Sequence, residues 1–208
     1  MGEKMRRIMS VLLIVCMVFS ITACGSVEKE NPVSEKEENK IQIGMSFDSF
    51  VIERWQRDRD VFVSVAKELG AEVNVQNANG DVEQQKNQID YFIQKGMDVI
   101  VIISIDGAAL RESVDKAKAE GIRVIAYDRI VEDADVDLYI SFDNEKVGTM
   151  MGQALIDQGL TGGKVLMLGG SPTDKNVGMV EEGFRRIMKT HNVTILDSTH
   201  ADGWKAEL

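Results

Sequence analysis

The sequence predicts an α/β protein built on a doubly wound parallel sheet. Three observations carry that prediction. Short β-branched runs recur from Ile41 onward, amphipathic stretches separate them, and single glycines stand between early helices and the strands that follow. Strand alternating with helix implies right-handed crossovers and a parallel sheet. The runs are continuously apolar, as strands covered on both faces are.

In chain order the expected strands are IQIGMSF, AEVNVQNA, MDVIVIIS, IRVIAYD and LYISFD, all between residues 41 and 143. Residues 51–69 place Trp55, Phe62, Ala66 and Leu69 near helical spacing, and residues 81–95 do the same with Ile89, Phe92 and Ile93. The stretch DVEQ, Asp81 to Gln84, has the spacing of a capping box. Gly70, Gly96 and Gly121 stand where a helix ends in a left-handed residue. A second round follows: a helix over 145–158, the strand GKVLMLGG, a helix over 174–189 and the strand NVTILDS. Two strands cannot easily cover their own sheet, so this second lobe is expected to be partial, completed by further sequence or by another chain. The first lobe is nearly complete.

The N-terminus points to export. Lys4, Arg6 and Arg7 precede the apolar run IMSVLLIVCMVFSI, which leads into Thr22, Ala23 and Cys24. A basic head, a short apolar segment and small residues at its end make a secretory signal; the run is shorter than the roughly 20 residues of a membrane span. Cys16 and Cys24 are the two cysteines of the chain. Cys16 falls in the segment to be removed and leaves Cys24 alone, so a disulfide and a thiolate–metal site fall away. The polar stretch GSVEKENPVSEKEENK reads as a flexible tether. The expected organisation is a signal peptide over 1–23, a tether over 24–40, an N-terminal lobe over 41–143 and a partial C-terminal lobe over 144–208.

The 208 residues carry a formal net charge of -10, which argues against a nucleic-acid partner. No catalytic set stands out. GLTGGKV precedes a strand, the reverse of a phosphate loop, and LGGSPTD lacks both phosphate-loop and nucleophile-elbow spacing. His191 and His200 are the only histidines and lack metal-ligand spacing. No metal and no cofactor is expected, and an enzyme is the weaker class.

Doubly wound sheets bind ligands beyond the carboxyl ends of their strands. Those ends read SFDSF, NANGD, ISIDG, YDRI and FDNE. Asp81 and Asp106 are expected to cap the helices after them. Asp128 is different, because Arg129 and Ile130 follow it and no clear helix starts there.

The segments ERWQRDRDVF, VQNANGD, VIAYDRI, DLYISFDNEKVG, GGSPTDKN and DGW occur in the order, and with nearly the spacing, found in the type I periplasmic sugar-binding family, most nearly its D-xylose-binding members. The chain resembles that family over residues 41–204. Within it, ITACG resembles the lipobox of bacterial lipoproteins, which implies cleavage before Cys24 and diacylation of its thiol.

The resemblance implies a two-lobed receptor that closes on a pentose, D-xylose favoured, and is held to the cell membrane by an N-terminal lipid. Its partner would be an ABC permease; a membrane kinase or chemoreceptor that reads the loaded state is the alternative, and a sugar-processing enzyme a further one. It also implies roles residue by residue. Asp128 and Arg129 grip the sugar, Asn144 bonds it near the crossing between lobes, Arg54 contributes from the first helix, and Trp55 stacks. Asn176 and Trp204 meet it from the second lobe, with Asp48 a weaker contact at the first strand's end. Each has a bland alternative: an Asp128–Arg129 ion pair made for structure alone, core packing for Trp55 and Trp204, solvation for Arg54, a helix cap for Asn176. The family pattern also implies more second-lobe and hinge strands than these residues supply, and hence, were the 208 residues the whole product, weak or no sugar binding and poor solubility.

Overall fold

The computed structural model describes residues 40–205. The expected signal peptide, the lipidation site at Cys24 and all of the expected tether except Lys40 lie outside the described residues. Seven strands and five α-helices are described: β1 (Gln42–Phe47), α1 (Glu53–Glu68), β2 (Glu72–Asn77), α2 (Val82–Gln94), β3 (Val99–Ile102), α3 (Arg111–Ala119), β4 (Arg123–Tyr127), β5 (Leu138–Ile140), α4 (Asn144–Asp157), β6 (Lys164–Gly169), α5 (Lys175–Thr190) and β7 (Thr194–His200), before a short 3-10 turn at Asp202–Trp204.

The first five strands form one all-parallel sheet in the order β2-β1-β3-β4-β5. The order reverses direction between β1 and β3, so the helices leave on opposite faces. On one face Ile89 and Phe92 of α2 and Val114 and Ala117 of α3 pack against Ile100, Ile102 and Val124. On the other, Trp55 and Phe62 of α1 pack against Met45, Phe47, Val101 and Ile103. This five-stranded system is the first lobe. β6 and β7 pair in parallel as a separate two-stranded sheet, which with α4 and α5 makes the second.

Local chemistry accounts for the element ends. Gly70, Gly96 and Gly121 have φ of 82°, 65° and 76°, the left-handed conformation expected after a helix. Asp81 caps α2, its carboxylate accepting from the Gln84 amide at 3.0 Å. Only half of the capping box forms, because Gln84 turns its side chain to the Asn77 carbonyl and the Asp81 amide donates to Ala78. Asp106 accepts from the amides of Ala108 and Ala109, in the turn that precedes α3 rather than at its cap. Leu69, expected on the core stripe of α1, is instead the 81 % exposed C-cap residue. The helix ends one residue before it, and Ala66 is the last side chain that reaches the core.

In the second lobe β6 turns Leu166 and Leu168, 76 % and 72 % exposed, to an uncovered face. No helix among the described residues is long and apolar enough to cross a membrane. The helices α4 and α5 approach so closely that glycine is required at the crossing. A Cβ at Gly148 would overlap the Val180 backbone, and one at Gly183 would overlap Glu145.

That contact is testable. Gly148→Ala must push the two helices apart and is expected to destabilise the protein by about 1–3 kcal/mol. Gly178→Ala, on the same α5 but with nothing within 4 Å of the added methyl, should raise stability by roughly 0.5–1 kcal/mol. Urea unfolding of the two variants checks both signs.

Candidate functional site

The carboxyl ends of β1, β3 and β4 meet at the reversal of strand order, where an open α/β sheet has its crevice. Asp48 follows β1, Ser104 follows β3, and Asp128 and Arg129 follow β4. From the second lobe, the start of α5 and the Trp204 turn face them across a cavity of about 630 Å³. Its walls include Arg54, Trp55, Asp128, Arg129, Asn144, Asp174, Asn176 and Trp204. Seven of the eight residues expected at the site are therefore gathered on one cavity. Asp48 is buried behind Arg129 and does not line it.

Asp128 and Arg129 do not pair with each other. Asp128 has φ of 65°, a left-handed backbone that aspartate tolerates better than most residues. That twist ends β4 and turns two successive side chains apart. The freed Asp128 carbonyl accepts from Ser141 Oγ at 2.6 Å, Tyr139 Oη at 3.3 Å and Asn176 Nδ2 at 3.1 Å. Its carboxylate accepts from Arg54 Nη2 at 2.6 Å and from Asn176 Nδ2 at 3.2 Å.

Arg129 points the other way and is buried, with 3 % exposure. Its Nη1 donates to Asp48 Oδ2 at 2.8 Å and to the Ser104 carbonyl at 3.0 Å. Its Nε lies 2.8 Å from Asp174 Oδ2, an ion pair whose angle does not make a hydrogen bond. Among the described residues Nη2 has no hydrogen-bond partner, which leaves one amino group toward the cavity.

Arg54 is fixed from several sides. Its Nε donates to Asp58 Oδ2 at 3.0 Å, one helical turn away, and Tyr127 Oη donates to the same oxygen at 2.9 Å. Burial pulls the Arg54 guanidinium down, but its bonds to Asp128 and Asp58 outweigh that and hold it above its usual value. Burial, followed by the Asp58 carboxylate, raises the Tyr127 phenol. Below the guanidinium lies Trp55, with Arg54 Cζ 4.4 Å and Arg129 Cζ 5.7 Å from its ring centroid. Trp55 is thus a core residue, tilted against Phe47 and edge-on to Tyr127, and also the floor beneath both cations. The open stacking plate expected of it is covered by Arg54. Phe142 flanks Arg54 with its ring centroid 5.4 Å from Cζ.

Asn144 begins α4 and donates to Ser141 Oγ and the Phe142 carbonyl. Asn176 is in the first turn of α5, but Asp174 is the residue that caps that helix. Trp204 lies against Gly170, with Arg129 Cζ 5.9 Å from its centroid. Four buried polar atoms on residues of the cavity wall have no hydrogen-bond partner among the described residues: Arg129 Nε and Glu181 Oε1, which lie 2.8 Å from Asp174 Oδ2 and His200 Nε2, and Asn176 Oδ1 and Trp55 Nε1, which have no ion partner either.

Sequence reasoning passed over Asp174, Asp58 and Tyr127. Asp174 reads as a plain helix cap, which it also is. Asp58 was legible as the i+4 partner of Arg54. Nothing local marks Tyr127, whose phenol reaches Asp58 only because β4 lies beneath α1. Among the described residues no group of three or more His, Cys, Asp or Glu is placed to hold a metal ion.

Comparison with known proteins gives a consistent picture. Residues 43–208 match the periplasmic binding protein domain. The chain is 43 % identical over 191 residues to the D-xylose-binding periplasmic protein of Escherichia coli, covering 90 % of this chain and 57 % of that protein. It is 42 % identical over 171 residues to the D-xylose-binding periplasmic protein of Haemophilus influenzae, covering 80 % of this chain and 51 % of that one. A glucose-bound ABC transporter solute-binding protein from Clostridium phytofermentans superposes with a TM-score of 0.69 at 30 % identity, covering 74 % of this chain and 51 % of the other. The chain thus spans little more than half the length of these relatives.

The buried triad has a pH signature. Burial pushes the carboxyls of Asp48 and Asp174 above the ordinary aspartate value, against the opposing pull of Arg129. Just above that value the folded protein holds protons that the unfolded chain has released. The stability so contributed is full below the ordinary value and is lost as pH rises through the folded one. Asp48→Asn removes one such group. Unfolding free energy measured in urea at steps from about pH 4 upward should fall less steeply for the variant than for the wild type.

Proposed function

The chain belongs to the periplasmic binding protein family, and from that premise we propose that it is an extracytoplasmic, lipid-anchored receptor that binds D-xylose for an ABC importer. The observation that carries the reading is the composition of one cavity. Two fixed guanidinium groups, five carboxylates (Asp128, Asp174 and Glu181 on the wall, Asp48 and Asp58 behind it) and two amides surround it or lie just behind its wall, and an orphan acceptor on Asn176 and an orphan donor on Trp55 belong to residues of that wall. A polyhydroxylated ring donates and accepts at every hydroxyl, so it can satisfy groups of both kinds.

The ring also has apolar C–H faces, and the rest of the cavity wall suits them: Val147, Met151, Val180 and Phe184 line it beside the polar end. Hydrogen bonds to charged groups contribute roughly 1.5–3 kcal/mol each, and micromolar binding corresponds to about 8 kcal/mol. A few such bonds with apolar contact suffice after ordering costs. In this reading residues 41–143 and 144–208 supply opposite walls of the cleft, the first strand's Asp48 acts by holding Arg129, and Cys24 carries the lipid that keeps the receptor at the membrane outside the cytoplasm. The named relatives are binding proteins, which favours binding over turnover.

A thermal-shift and calorimetric screen of the full-length gene product against pentoses and hexoses tests this. D-xylose should raise the melting temperature most, because a ligand that binds only the folded state stabilises it by mass action. Arg54→Ala should weaken D-xylose binding by roughly tenfold to a hundredfold. No shift with any sugar, or turnover of a pentose, would overturn the proposal. The anchor has a separate test: Cys24→Ser should leave the precursor uncleaved and without lipid, seen by mass and by partition into detergent.

A further inference from the structure

Four consecutive residues of the second lobe each bond the first. Thr173 Oγ1 donates to the Ile105 carbonyl at 3.0 Å. Asp174 pairs with Arg129. Lys175 Nζ lies 3.0 Å from Glu132 Oε2. Asn176 Nδ2 donates to both oxygens of Asp128 that face it. The segment is the end of the turn after β6 and the first residues of α5, so it moves with that helix as one body. Its partners all follow β3 or β4 of the first lobe. The contacts divide in two. Asp174 and Asn176 line the cavity, whereas Thr173, Lys175 and Glu132 do not.

Lys175 is the informative member. It is the first residue of α5, where unpaired backbone amides and the helix dipole disfavour a cation; the Asp174 cap beside it is taken up by Arg129 and the Asn176 amide, and the first turn carries no further acidic residue. The carboxylate that answers this charge comes from the other lobe. Glu132 is held in place by its own amide, which donates to the Gly107 carbonyl at 3.1 Å.

We propose that Thr173–Asn176 is a closure latch, and that the Lys175–Glu132 pair sets ligand affinity from outside the cavity, without touching the ligand. This rests on the sugar-binding reading for its ligand but not for its mechanics. The binding-competent state is the one in which the lobes meet, and apparent affinity scales with the population of that state. An ion pair formed only when the lobes meet raises that population. Lys175 is about half exposed, so the contribution is modest and sensitive to salt.

The experiment combines D-xylose calorimetry with a distance measurement in the absence of sugar. Nitroxides on Lys67→Cys in α1 and Lys189→Cys in α5, both exposed, report the separation of the lobes by electron paramagnetic resonance. Lys175→Glu sets like charges against each other. It should weaken D-xylose binding roughly three- to tenfold and shift the distance distribution to longer values. Adding Glu132→Lys to the same chain should restore both readouts, and raised salt should narrow the difference between wild type and single variant. Unchanged distances in Lys175→Glu, or a double variant no better than the single, would overturn the latch. If no sugar binds the wild type, the function proposed above fails, and the distance arm still decides the latch.

Discussion

One guanidinium organises this molecule. Arg129 is buried, and its nitrogens reach Asp48 after β1, the Ser104 carbonyl after β3 and Asp174 at the start of α5. Removing a charge from water costs several kcal/mol even after relaxation, and the cost is recovered only when the charge is fully paired. Arg129 therefore needs both of its carboxylates, which leave only Nη2 turned to the cavity. Either two strand ends of the first lobe and a helix start of the second converge on it, or a charge is left buried without a partner. A lysine would not serve, because one ammonium point cannot hold three directions with the planar fork that arginine provides. The position of the second lobe against the first and the polarity of the cleft are thus consequences of the same pairing.

The sheet explains why the convergence happens there. With strand order β2-β1-β3-β4-β5, the chain turns back between β1 and β3, and the helices on either side diverge to opposite faces. A crevice is left over the strand ends, and whatever polar groups the next residues supply must meet in it. The left-handed backbone at Asp128 completes the arrangement. It sends the carboxylate toward Arg54 and the next side chain toward Asp48, so that two charges adjacent in sequence serve opposite walls.

The fold was largely legible because its signals are local. The β-branched runs, the helical spacing between them and the glycines after helices are all properties of a few residues, and they named every strand and four of the five helices; α3 was marked only by Asp106 before it and Gly121 after it. The positions of polar residues at strand ends were legible for the same reason. Partnership was not. Arg129 and Asp128 look like a pair in sequence, but each finds its carboxylate or guanidinium far along the chain, at Asp48 and Arg54. Asp174 was hidden because one residue does two jobs: it accepts from the Asn176 amide as a helix cap and faces Arg129 as a counter-ion. A cap is a sufficient local explanation, so sequence alone gives no reason to look further. Trp55 shows the converse: its helical spacing marked the core contact, but nothing local marks the cation that covers its other face.

The charge balance of the cleft then follows from counting its members. Asp48, Asp58, Asp128 and Asp174 face Arg54 and Arg129, four carboxylates against two guanidinium groups, and Glu181 adds a fifth carboxylate on the wall, beside His200 and Arg185. The cations are committed to these carboxylates, so they are held still rather than available as free positive charge. An anionic ligand would meet a surplus of buried negative charge at close range and in low dielectric. A neutral ligand with many hydroxyls meets the opposite situation: acceptors already desolvated, and amino groups already oriented by the partners behind them. Such pre-orientation lowers the entropic cost of binding. The burial that makes Arg129 expensive is therefore the same burial that makes the groups around it stiff, and stiffness is what a cleft needs in order to distinguish one arrangement of hydroxyls from another.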